Sequence, residues 1–142
     1  MTNEDNSRMI IEANEKFYKA LGTRDLDLME TVWRNDSFVG CVHPGWVMFY
    51  GWDTIRQSWE NVFDPNDQLD IKLININLDI KYNTAWLTCI QHLTYIRRDP
   101  VMINISQSTN IFEKFEDKWL MVLHHASPIP LTEYSNNYST LQ

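Results

Sequence analysis

Apolar residues in the N-terminal half of the chain recur three and four positions apart, and in the C-terminal half at every second position. The change of period at Leu69 separates a helical half from a stranded half. Ile10, Ala13, Phe17 and Leu21 form one stripe of a first helix, with Gly22 as its expected stop. Asp25 is placed to cap a second, shorter helix, because its carboxylate can accept the orphan N–H groups of the first turn. That helix carries Leu28, Met29, Val32 and Trp33 on one face, and Asn35-Asp36-Ser37 breaks the pattern. Phe38 to His43 reads as a short strand ended by Pro44-Gly45, and Trp46 to Tyr50 as extended chain. A third helix starts between Gly51 and Thr54, buries Ile55, Trp59, Val62 and Phe63, and ends at Asp64-Pro65-Asn66-Asp67.

Leu69, Ile71 and Leu73 alternate with polar residues, and Ile74, Ile76, Leu78 and Ile80 alternate in the opposite phase. A phase switch moves the buried set to the other register, which predicts a β-bulge at Leu73-Ile74. Turns at Lys81-Tyr82-Asn83-Thr84, Arg98-Asp99-Pro100 and Glu116-Asp117 then separate three more strands, Ala85 to Arg97, Met102 to Phe115 and Trp119 to Ala126. Helices segregated from an antiparallel meander mean an α+β fold, with three N-terminal helices packed on a curved antiparallel sheet. One domain over residues 1–128 and a mobile tail over 129–142 are expected, since the tail has no hydrophobic period. A curved sheet covered by helices leaves a cavity at its open mouth.

Composition narrows the partners. The 142 residues hold 12 Lys and Arg against 19 Asp and Glu, a formal charge of −7, so nucleic acid and anionic membranes are not expected partners. No apolar run approaches the ~20 residues that span a bilayer. The polar, acidic N-terminus is the reverse of a secretory signal, and two cysteines make no disulfide framework. A cytoplasmic setting is expected, with a single Cys41–Cys89 bridge left open.

Three stretches carry a family resemblance: Phe17 to Asp27, His43-Pro44-Gly45-Trp46 with Gly51 and the helix Ile55 to Phe63, and Lys118 to Pro128. Together they resemble the nuclear transport factor 2-like superfamily, also called SnoaL-like or ketosteroid-isomerase-like, over about residues 7 to 128. The third stretch, with Gln91-His92-Leu93 and Thr109, is also similar to the calcium/calmodulin-dependent protein kinase II association domain. The resemblance implies a cone-shaped roll. It does not imply one activity, because the fold hosts isomerases, cyclases, dehydratases, transport factors and oligomerisation domains. Ketosteroid isomerases need a tyrosine on the first helix and a carboxylate base near the first strand's turn. Here those positions fall at Phe17 and near Cys41, which can do neither job, so isomerase activity is not carried over.

The remaining candidates are polar residues in apolar surroundings. His43 precedes the Pro44-Gly45 break, where an imidazole can donate or accept at a cavity mouth. Cys41 and His43 lie two apart on one strand, with Cβ atoms ~7 Å apart, too far for a direct nucleophilic dyad. One of Gln91 and His92 must face inward, as must one of His124 and His125, and Asn110 lies on the strand between them. Trp46 and Trp52 flank the apparent mouth, whereas Trp33 and Trp59 fit core stripes. The candidate ligand-binding set is His43, Trp46, Trp52, His92, Asn110 and His125, with His43, Trp46 and at least one of His92, Asn110 and His125 expected in one cavity. The histidine spacings fit no metal site and no phosphate loop occurs, so neither metal nor cofactor is expected. Two functions follow. One is a pocket for a small apolar or aromatic molecule, with a cofactor-independent reaction left open. The other is a non-catalytic association domain, and an apolar outer sheet face predicts a homodimer or higher homo-oligomer in either case.

Overall fold

The computed structural model describes residues 2–133. Helix α1 (Asn3–Thr23) begins at a capping box, in which Thr2 Oγ1 accepts from the Asp5 amide and the Asp5 carboxylate accepts from the Thr2 amide. It ends at Arg24, in the left-handed region at φ 54°, and not at Gly22. Gly22 lies inside the helix, and a side chain there would press on Ile71, whose Cδ1 lies 3.3 Å from the place a Cβ would take. The glycine serves a close helix–strand approach. Helix α2 (Leu26–Val32) is capped by Asp25, whose Oδ1 accepts from the Leu28 amide at 3.0 Å. Strands β1 (Gly40–Val42) and β2 (Met48–Tyr50) form a short hairpin. Gly51, at φ 82°, turns the chain into α3 (Trp52–Val62). Strands β3 (Leu69–Lys81), β4 (Thr84–Tyr95), β5 (Met102–Phe115) and β6 (Lys118–Pro128) make the meander, and a single helical turn, α4 (Leu131–Glu133), follows.

The sheet has six strands in the order β2-β1-β6-β5-β4-β3. It is mixed where an antiparallel sheet was expected, because β1 lies parallel to β6. The two strands are joined by β2, α3 and the rest of the meander, far more chain than the crossover of about a dozen residues that a parallel pair needs. The first register shift falls between Ile74 and Asn77, just past the expected Leu73-Ile74, and Asn75 takes up the strain at φ 56°. A second shift lies on β6. Ile111 pairs Leu123 while Phe112 pairs Met121, so Val122 is the extra residue of a bulge.

The core lies between the helices and one face of the sheet. Ile10 and Phe17 of α1, Met29 of α2, Ile55 of α3, Leu87 of β4, Phe112 of β5 and Met121 of β6 are fully buried there. Beside it, Arg98 grips Asp67 with two bonds of 2.9 and 3.1 Å and stacks 4.0 Å over the Tyr95 ring. This fork ties the α3–β3 loop to the β4–β5 turn. Of the tail expected over 129–142, the Ile129 amide donates to the Ile105 carbonyl at 2.8 Å, and residues 134–142 lie outside the described residues. No helix among the described residues is long and apolar enough to cross a membrane. Phe17 packs edge-on to Tyr18 and Trp59, so Phe17→Ala should lower unfolding free energy by about 3–5 kcal/mol, read as a fall in the urea midpoint. Phe38→Ala, at a half-exposed position, should change it by less than about 0.5 kcal/mol.

Candidate functional site

His43 is the first residue past β1, and the Trp46 amide donates to its carbonyl at 2.9 Å to close the Pro44-Gly45 turn. That turn folds the imidazole back under α3. The ring meets Trp59 edge-on at 4.5 Å and sits beside Trp46 and Phe49 at 5.6 and 6.0 Å. Ser58 donates its hydroxyl proton to the Ile55 carbonyl at 2.7 Å, so its oxygen accepts from His43 Nε2 at 2.7 Å. The bond sets the tautomer: Nε2 carries the proton and Nδ1 is bare. Burial pushes His43 down to about 4, so the ring is neutral at pH 7.

A second buried polar group rises from the sheet. His124 Nδ1 is 2.6 Å from Asn110 Oδ1, and the Asn110 amide donates to Asn14 Oδ1 at 2.8 Å and to the Tyr18 hydroxyl at 3.3 Å. Tyr18 in turn donates to Gln91 Oε1 at 2.9 Å, where Ser108 also donates at 2.6 Å. Because Asn110 presents its carbonyl oxygen, His124 Nδ1 is the donor and Nε2 the acceptor. Burial first, then the neighbouring His43 and His125, push His124 down to about 3. Burial also pushes the Tyr18 hydroxyl upward. Cys41 and Cys89 are free, buried thiols, both held protonated by burial, so the open disulfide and the Cys41 nucleophile both fall away.

Between these groups lies a cavity of about 160 Å³, with His43, Trp46, Trp59, Gln91, Asn104 and His124 on its wall and Leu21, Pro44, Val62, Leu93 and Tyr95 completing it. No Asp, Glu, Lys or Arg is part of that wall. Trp46, 51% exposed, stands at the mouth. Larger hollows exist, one of them about 490 Å³ and lined by Asn35 to Ser37 and Gly51 to Thr54, an open surface depression with no buried polar side chain on its wall. Among the described residues no three His, Cys, Asp or Glu side chains gather as a metal site.

The structure brings His43 and Trp46 together in this cavity, and it separates the rest of the expected set. Asn110 is fully buried one hydrogen bond behind the wall, on His124. His125 is exposed on the opposite face. Alternation from Trp119 and Met121 points His125 inward, but the Val122 bulge reverses the parity, and His124 and Ala126 turn in instead. On β4, Ala85, Leu87, Cys89, Gln91 and Leu93 are the buried series, so Gln91 faces in and His92 faces away. Trp52 packs on Trp33 at 5.8 Å and donates to Glu30 at 3.2 Å, and it does not line the cavity whose mouth it was expected to flank. Trp59, read only as core, is also cavity wall. Sequence reasoning did not single out Asn14, Tyr18, Ser58 or Asn104. Asn14 and Tyr18 lie at helical spacing from Ile10 and Phe17, a signal that was legible.

Known proteins share this architecture. The chain is 31% identical over 121 residues to the F-box protein SKIP8 of Arabidopsis thaliana, a match covering 85% of this chain and 50% of that one. The chain thus spans about half the length of the curated relative it matches. Among solved structures, a candidate dehydratase of the NTF2-like family from Streptomyces avermitilis superposes with a TM-score of 0.81 at 23% identity, covering 90% of this chain and 99% of that one. A candidate calcium/calmodulin-dependent protein kinase type II association domain from Thiobacillus denitrificans superposes at 0.71 with 28% identity, covering 83% and 93%. The sequence profile of the SnoaL-like domain matches residues 10–132, from the first helix to the turn beyond the last strand, and it spans every wall of the cavity. The chain belongs to the SnoaL-like domain family.

Proposed function

We propose that this protein binds a small apolar or aromatic molecule in the cavity between His43 and His124, without a cofactor. The observation that carries this reading is the convergence of buried polar side chains on a space walled by aromatic and aliphatic groups. His43 lines the mouth side of the cavity, with Trp46 beside it as an aromatic flap. Both imidazoles are neutral at pH 7, which suits hydrogen bonding to a ligand better than proton transfer, since an efficient general base titrates near the working pH. The likeness to a candidate dehydratase is a likeness of fold and lends this chain no reaction.

A second reading is supported by the similarity to an association domain and by the apolar outer face of the sheet, where Trp86 and Ile103 are each about two-fifths exposed. In that reading the protein is a homodimer or higher homo-oligomer built through the outer face. The two readings are compatible, because the cavity and that face lie on opposite sides of the sheet. Free buried thiols and the acidic balance suit a reducing, cytoplasmic setting, apart from nucleic acid and membranes.

Fragment screening by NMR with single-ring compounds should move the Trp46 and Trp59 indole signals, and His43→Ala should weaken the best hit by about 1–3 kcal/mol with the fold intact. A screen that leaves both indoles unmoved sinks the small-molecule reading. Light scattering at micromolar concentration should give at least twice the chain mass, and a monomer mass would remove the second reading. Stability should also depend on acid. Both histidines titrate near 6.5 when unfolded and lower when folded, so the unfolded chain binds more protons as the pH falls. Their contribution is complete above pH 6.5 and is lost as pH drops toward 4, by about 1.4 kcal/mol per pH unit for each histidine. Urea midpoints at pH 7 and pH 5 read this directly.

A further inference from the structure

We propose that the occupant of the cavity is an uncharged single-ring molecule bearing a hydroxyl, and that His124 Nε2 accepts the hydrogen bond from that hydroxyl. The inference rests on the small-molecule reading and adds the chemistry of the ligand.

Size comes first. An apolar protein cavity of about 150 Å³ holds one benzene ring, and this one measures about 160 Å³. Trp46, Trp59 and Tyr95 give it aromatic walls. A fused or extended scaffold would not fit without opening the Trp46 side.

Charge comes second. With no Lys or Arg on the wall, a carboxylate or phosphate entering the cavity would lose its hydration without gaining a counter-charge. With no Asp or Glu there, an ammonium group meets the same penalty. The two histidines resist charging because they are buried.

The direction of the hydrogen bonds then selects the functional group. The internal network uses up one side of His124 and one side of Gln91. Asn110 Oδ1 takes the Nδ1 proton of His124, which leaves Nε2 as an acceptor on a ring that is 1% exposed. Gln91 Oε1 already accepts from Tyr18 and Ser108, so the polar capacity left on Gln91 is its amide N–H donors. Asn110 and Tyr18 link His124 to Gln91 in a single chain, so an acceptor and a donor are presented at the back of one small space. A hydroxyl satisfies both, donating to His124 and accepting from Gln91. A ketone or ether can accept but leaves the imidazole nitrogen without a donor, and a hydrocarbon leaves both groups unsatisfied. His43 offers a bare Nδ1 as well, but it lies beside half-exposed Trp46, where water can serve it.

The test compares phenol, toluene and benzoate on the wild-type chain at pH 7. Phenol and toluene have nearly the same shape, so the hydroxyl is isolated. Phenol should bind at least about tenfold more tightly than toluene, and benzoate at least about tenfold more weakly than phenol. Long-range ¹H–¹⁵N spectra of the histidine rings should show Nδ1 of His124 protonated and Nε2 bare, with the Nε2 signal moving upfield on addition of phenol. His124→Phe keeps the aromatic packing on Phe17 and Trp59 and should bring phenol and toluene to within about threefold of each other. Equal binding of phenol and toluene overturns the inference and leaves the small-molecule reading standing. So does a phenol-induced shift at His43 with none at His124, or a protonated Nε2 on His124. Failure of all three compounds to move Trp46 or Trp59 signals overturns the inference and the broader reading together. If His124→Phe does not fold, the wild-type ring spectra decide the matter.

Discussion

Asn110 holds four elements of the fold in one set of bonds. From β5 it reaches Asn14 and Tyr18 on α1 and His124 on β6, and through Tyr18 it reaches Gln91 and Ser108 on β4 and β5. Each of these side chains sits among aromatic and aliphatic neighbours, where an unpaired polar group costs roughly 1–3 kcal/mol. The network is tolerable only when complete. Completeness fixes the roll of α1 against the sheet, because a modest rotation of the helix would strand Asn14 and Tyr18 together. It also sets the tautomer of His124 and the orientation of the Gln91 amide, so the polarity of the cavity follows from bonds made behind its wall.

The same arrangement explains why the cavity persists. Protein interiors close around voids unless something holds them open. Here the floor is pinned by the Asn110 network, the roof by the His43–Ser58 bond to α3, and the side by the Arg98–Asp67 fork at Tyr95. Trp59 bridges roof and floor, touching His43 at 4.5 Å and His124 at 6.0 Å. Its indole N–H is buried without an acceptor, as is that of Trp33. At these two positions packing volume outweighs a hydrogen bond.

The inward place of His124 at the cavity follows from a single inserted residue. Without the Val122 bulge, β6 would turn His125 toward the helices and His124 toward the outer face. Fold relatives that share the cone yet differ at such bulges would present different side chains from the same strand, one physical route by which a common architecture hosts unlike chemistries.

The sequence by itself determined the elements and their order. Helical spacing around Ile10 and Phe17, the cap at Asp25 and the two-residue period from Leu69 are local signals, and local structure obeys them. His43 and Trp46 were legible for the same reason, since Pro44-Gly45 leaves little choice of conformation. Tertiary structure decided what local pattern cannot encode. The parallel pairing of β1 with β6 joins strands separated by α3 and most of the meander, and the inward face of β6 depends on a bulge visible only against its partner strand. Gln91 over His92 is a matter of strand parity that Ala85, Leu87 and Cys89 already carried, but its bonding to Tyr18, 73 positions away, comes from the folded chain alone. Hydrogen-bond direction is a property of the whole network, because each proton's place depends on the group beyond it.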